Sequence, residues 1–317
     1  MDLFQKAAHN VVKNCFRLQP QESVLIVTDE NLRKIGYYFF EAARQVSKEV
    51  VLVEITPRER HGEEPPPAIA KLMGEFKVLI IPTSKSMSHT QARRDACQAG
   101  ARCATLPAIT LDTMKRTLNA NYGKIADRSR KVATAVTGGK IVRVTSPAGT
   151  DISMYIEGRK CHPDTGQIYN AGDFSNLPAG ESYLASLEET AEGTLVFDGT
   201  MAGIGKLKKP ISLKVKSGFV TEIKGDSNAK KLKSILDSAG KLAYNIAELG
   251  IGTNDKAMLV GSVLEDEKVM GTVHMALGDN MSMGGKVSVR SHLDGIILKP
   301  SLTVDGMTIM KNGVLKI

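Results

Sequence analysis

The chain has 317 residues, 42% of them hydrophobic and 24% charged, with a net charge of +8. That length exceeds what one hydrophobic core comfortably serves and predicts two domains. No apolar run approaches the roughly 18 residues of a membrane span, and the positive charge is scattered, which argues against a nucleic-acid partner.

The N-terminal stretch "MDLFQKAAHNVVKNCF" is polar and helix-like and lacks the apolar core of a signal peptide. The four cysteines, Cys15, Cys97, Cys103 and Cys161, form no CxxC pair. They read as reduced, buried thiols, and the expected location is cytoplasmic. From Ser23 the chain alternates strand and helix. "SVLIVT" precedes the helical pattern "NLRKIGYYFFEAARQVS"; "EVVLVEI", "KVLIIPT" and "RCATLP" are further strands, separated by helices near "PAIAKLMGEF" and "HTQARRDACQAG". Continuous Val/Ile/Leu strands between helices predict a doubly wound parallel sheet, flavodoxin-like or Rossmann-like, over residues 1–130. No GxGxxG follows the first strand, so a nicotinamide cofactor is not expected. Ligands of such sheets bind beyond the carboxyl ends of the strands. "PTSKSMSHT" stands there and offers His89 as a substrate contact, with a plain surface role as the alternative. Ser88 and Thr90 read equally well as helix caps.

"ADRSRKVATAVTGGK" reads as a helix closed by a glycine pair, after which the texture changes. "KIVRVTS", "DISMYIEG", "ESYLASLE", "GTLVFDG", "PISLKVKSG" and "VTEIKGD" are short strands between turns, interrupted by the helix "NAKKLKSILDSAGK". Residues 131–317 are therefore expected to form an antiparallel-rich α+β domain.

Four stretches of this half carry chemistry. Glu181 begins a strand after a Pro-Ala-Gly turn, and Glu248 lies within the apolar "YNIAELGIGTN". His274 lies within "GTVHMALGDN", and His292 and Asp294 stand at i and i+2 in "SHLDGI". In a strand, i and i+2 share a face. A carboxylate in an apolar strand needs a partner, either a basic side chain or a divalent ion. Two Glu, two His and one Asp beside glycines favour a shared metal site, although spacing alone does not bring them together.

"NLPAGE", "AELGIGTN", "LEDEKVMGTVHMALGDN" and "SHLDG", in that order, resemble successive motifs of the metal-dependent aminopeptidases T and S. The resemblance implies an N-terminal α/β domain, a C-terminal two-metal domain and a homodimer. It implies Glu181, Glu248, His274, His292 and Asp294 as metal ligands. The peptidase pattern has one more ligand, a Tyr seven positions after the first His; Met281 stands there, and a thioether is a poor ligand in an oxygen-rich site. The connection from the first His to the His-x-Asp pair is also shorter than in the peptidases.

Two chemistries follow. The first is a metallo-aminopeptidase-like hydrolase of small peptides. Two Zn, Co or Mn ions would activate a bridging water, Glu181 or Glu248 would act as general base, and Asp279 or Asn280 would replace the missing Tyr, with Asp279 also a candidate substrate contact. The second is a mononuclear Fe(II) oxygenase, because His274, His292 and Asp294 have the composition of a 2-His-1-carboxylate triad. The same superfamily is similar to ring-opening dioxygenases acting on 2,5-dihydroxypyridine. Glu181 and Glu248 would then surround the iron or contact a small-molecule substrate. A metal-binding relative without turnover is the third reading.

Overall fold

The computed structural model describes residues 1–317. Its packing divides the chain into two units. One is Met1–Lys124 with Gly166–Ala179; the other is Ile125–Thr165 with Gly180–Ile317. The sequence reading put a single boundary at 130, whereas the chain here leaves the second unit at Gly166 and re-enters it at Gly180.

The first unit is built on a five-stranded parallel sheet. Its order is Val50–Ile55, Val24–Asp29, Val78–Ile81, Arg102–Thr105 and Phe174–Asn176. This is the flavodoxin-like order. Val24–Asp29 and Val78–Ile81 are buried along their whole length, as expected where both faces of a sheet are covered. Leu25, Val27, Leu79, Ile81 and Cys103 share one core cluster with Met73, Ala92 and Ala96 of the neighbouring helices. The fifth strand was not foreseen: "FSN" is three residues long and carries no apolar periodicity. Thr90 caps the Gln91–Gln98 helix by accepting from the Arg93 N–H, as predicted. Ser88 instead donates to Asn176 Oδ1 at 2.8 Å.

The second unit holds an eight-stranded and a seven-stranded sheet, antiparallel throughout. The two sheets share one core. Val142, Val144, Ile152 and Met154 of the larger sheet belong to the same cluster as Leu249, Ile251, Met275 and Ile297 of the smaller. Helices Tyr122–Val136 and Ser227–Ala239 occupy the two positions read from the sequence. All four cysteines are free and buried. No helix is long and apolar enough to cross a membrane.

Candidate metal centre

The site lies on the smaller sheet of the second unit, whose central strands are Glu181–Ala185, Ile246–Gly252, Val273–Gly278 and His292–Ile297. Cross-strand partners lie on the same face of a sheet, and successive residues alternate. The register pairs Gly252 with Glu181, Glu248 with Ala276, Ala276 with Asp294, and Gly278 with His292. His274 pairs with Gly250. All five predicted ligands therefore project from one face, while Leu184, Leu249, Ile251, Val273 and Met275 alternate into the core. The strands were legible as apolar runs because every second residue had to be.

Two glycines make the face possible. A Cβ on Gly250 would lie 1.9 Å from His274 Nε2, and a Cβ on Gly252 would lie 2.1 Å from the Val269 carbonyl oxygen. Gly250 thus admits the His274 ring, and Gly252 admits the backbone that carries Glu267 and Lys268. Gly250→Ala is expected to push the His274 ring aside and lower the divalent metal retained per chain by at least about tenfold. Metal analysis of the purified variant checks this; wild-type metal content would show that the ring does not need that space.

The donors form two groups. Glu248, His292 and Asp294 each offer an atom within 4.8 Å of the others, and so do Glu181, Glu267 and His274. His292 Nε2 is 3.0 Å from Glu248 Oε2 and 3.4 Å from Asp294 Oδ1. His274 Nε2 is 3.5 Å from Glu248 Oε1 and 3.2 Å from Glu181 Oε2, so Glu248 links the two groups. His292 Nδ1 lies 2.8 Å from the Asp279 carbonyl oxygen. A carbonyl only accepts, so the ring donates from Nδ1 and turns Nε2 toward the carboxylates.

Sequence reasoning missed Glu267 and Lys268. Lys268, 1% exposed, pairs with Glu181 and with Glu267 Oε1 (2.7 Å), and lies 3.8 Å from Asp164. Both residues sit in the quoted "LEDEKVMG" but follow a one-turn helix, Val263–Asp266, where no strand period marks which side chains turn inward. Asp279 is occupied within its own loop, accepting from the backbone N–H groups of Met281 and Val289. Met281 is 52% exposed. His89 is exposed in the first unit.

Burial and mutual charge set the protonation of this cluster. Burial raises the Glu181 carboxyl, against the pull of Lys268, and pushes Glu267 up to about 8. Burial opposes ionisation of Glu248 as well, but hydrogen bonds from His274 and His292 outweigh it and hold that carboxyl below its usual range. Burial works against charge on His274, yet its carboxylate neighbours, Glu248 first, raise it to about 9. His292 is raised despite burial, chiefly by Asp294. Lys268 is held charged by Glu181, Glu267 and Asp164 against its own desolvation.

This donor set fits a divalent cation. Glu181 Oε2 is buried and accepts no hydrogen bond, although His274 Nε2 lies 3.2 Å away, a costly state for a carboxylate oxygen. Imidazole and carboxylate together are the chemistry of iron, zinc and manganese sites. The orphaned oxygen and the two donor groups are what an ion would satisfy.

A sequence profile of the 2,5-dihydroxypyridine 5,6-dioxygenase family matches residues 3–317. The chain is 27% identical over 189 residues to the 2,5-dihydroxypyridine 5,6-dioxygenase of Pseudomonas putida; the match covers 53% of each chain, so it spans about half the length of that curated relative. A solved structure of the Pseudomonas putida dioxygenase superposes with a TM-score of 0.85 at 18% identity, covering 98% of this chain and 96% of that one. Wild-type AmpT from Thermus thermophilus superposes with a TM-score of 0.76 at 16% identity, with 99% of each chain covered. At those identities the two superpositions establish the shared fold, while the profile spans nearly the whole sequence. The chain belongs to the 2,5-dihydroxypyridine 5,6-dioxygenase family.

Proposed function

We propose that the protein is a mononuclear Fe(II) ring-cleaving dioxygenase acting on a hydroxylated pyridine of the 2,5-dihydroxypyridine type. The sequence reading put the two-metal hydrolase first; the family match reverses that order. The observation that carries the reading is Met281. The peptidase pattern brings a tyrosine there as a further ligand, and here a thioether stands 52% exposed at that position. The remaining set contains two His and one Asp, sufficient for one iron but short of the peptidase complement.

His292 and Asp294, which share one donor group with Glu248, would hold the ion together with His274 of the other group, which lies 3.5 Å from Glu248 Oε1. Iron bound there supplies the redox chemistry with dioxygen and a Lewis-acidic anchor for a ring hydroxyl. The other roles belong to the chain. Glu248 stays ionised and fixes both rings through its two oxygens. Glu267, which burial pushes up to about 8 in the metal-free protein, is proposed as the group that exchanges a proton with a substrate hydroxyl. Lys268 pairs with Glu181 and Glu267 and supplies one positive charge on this side of the site.

Protein purified without oxygen should contain one iron per chain. It should consume oxygen stoichiometrically with 2,5-dihydroxypyridine and release no amino acid from peptides. Two zinc, cobalt or manganese ions per chain, with release of N-terminal residues and no oxygen uptake, would sink the dioxygenase reading in favour of the hydrolase.

A further inference from the structure

The loop from Asp279 to Ser291 joins the two strands that carry the histidines, and an ion pair outside the donor set grips it. Arg159 and Glu188 are 11% and 18% exposed, and Arg159 Nη2 lies 2.6 Å from Glu188 Oε2. The same guanidinium donates to the Gly284 carbonyl of the loop. The other oxygen, Glu188 Oε1, accepts from Asn280 Nδ2 at 3.0 Å and from the Lys286 N–H at 2.7 Å. Asn280 is fully buried. Its side-chain oxygen accepts from the Val287 N–H at 2.9 Å, and its own N–H donates to the Val287 carbonyl at 3.1 Å.

The Asn280 N–H and the Asp279 C=O belong to one planar peptide unit. Fixing Asn280 therefore fixes the direction of the Asp279 carbonyl, and that carbonyl receives His292 Nδ1. Asp279 is itself held by a 2.7 Å bond from its N–H to the Ser291 carbonyl. The second ring nitrogen of a metal-binding histidine sets its tautomer and orientation. Here the partner is a loop carbonyl, so the ring is only as well aimed as the loop is fixed.

Resting on the assignment of His292 as an iron ligand, we propose that Arg159 and Glu188 are positioning residues for the metal centre. Through Asn280 and the Asp279 carbonyl they lock His292 with Nδ1 donating and Nε2 facing Glu248 and Asp294. Neither residue needs to touch metal or substrate. Lengthening this grip would loosen one ligand and leave Glu248 and Asp294 where they are.

The test uses Glu188→Ala and Glu188→Gln in the full-length protein, with two readouts besides activity. The first is hydrogen exchange of the His292 Nδ1 proton in ¹⁵N-histidine-labelled, metal-free protein, expected to be on the order of tenfold faster in Glu188→Ala. The second is Zn(II) affinity, expected to fall about 10–100-fold in the same variant. Glu188→Gln keeps an acceptor oxygen and is expected to lie between wild type and Glu188→Ala. Unchanged exchange and affinity in Glu188→Ala, or a Glu188→Gln as damaged as Glu188→Ala, would overturn the proposal. Should Glu188→Ala fail to fold, Arg159→Lys keeps the charge, weakens the grip on Gly284 and is read the same way. A wild-type protein that takes up no divalent ion would sink His292 as a ligand, while the exchange rates in metal-free protein would still decide whether the clamp holds the ring.

Discussion

Asp294→Ala is expected to lose at least about 100-fold in Fe(II) affinity and, with it, oxygen uptake on the pyridine substrate. The reasoning is local. Asp294 contributes Oδ1 at 3.4 Å from His292 Nε2, and with Glu248 it forms the group in which every donor lies within reach of one ion. Removing it takes away the proposed carboxylate ligand, yet His292 keeps its 3.0 Å partner in Glu248 and its Asp279 carbonyl. The fold should therefore survive, and a thermal melt of the metal-free protein should move little. Anaerobic metal analysis and an equilibrium titration with Fe(II) measure the effect. Asp294→Ala protein that carries wild-type iron would remove this centre from consideration. Asp279→Asn is the comparison: it keeps one of the two side-chain oxygens that accept loop N–H groups, as well as the backbone carbonyl, and is expected to lose far less iron than Asp294→Ala.

The largest effect on stability is expected from Lys268→Met. Lys268 is almost completely buried, and its ammonium is shared by Glu181, Glu267 and Asp164. A methionine fills similar volume but leaves buried carboxylates without their cation. Removing one partner of a buried ion pair costs about 3–5 kcal/mol. The cost should depend on pH with a defined sign. Burial already raises Glu181 and lifts Glu267 to about 8, and losing Lys268 raises both further in the folded state. An acid whose folded pKa lies above its unfolded value loses stability as pH rises from the unfolded value towards the folded one. The urea midpoint of metal-free Lys268→Met, relative to wild type, should therefore fall further at pH 8 than at pH 5. Equal losses at both values would mean that these carboxylates are not the source. Added Zn(II) should restore part of the midpoint, since a divalent ion can take over the charge that the lysine supplied.

Much of the site was legible because the smaller sheet obeys a period of two. Glu248 in "IAELGIG" and His274 in "VHMALG" were conspicuous as polar residues in wholly buried strands. His292 and Asp294 at i and i+2 were bound to share a face in any strand. Glu267 and Lys268 were not legible, because the segment after the short Val263–Asp266 helix has no repeating direction; only packing against Gly252 turns it inward. Asp279 illustrates the opposite case. The sequence offered it as a stand-in for the missing Tyr or a substrate contact; in the fold its carboxylate accepts from loop N–H groups and its carbonyl receives His292 Nδ1.

The sequence by itself determined the two textures, the alternating strands and helices of the first half, and the residue types of a metal site, since hydrophobic period and donor chemistry are local properties. The order of strands, the return of Gly166–Ala179 to the first unit, and the meeting of Glu181 with His274 across a separation of 93 positions were decided only by tertiary structure. Those depend on which strands pair and in what register. A shift of one residue would have turned every ligand on that strand into the core, and no local spacing can exclude it.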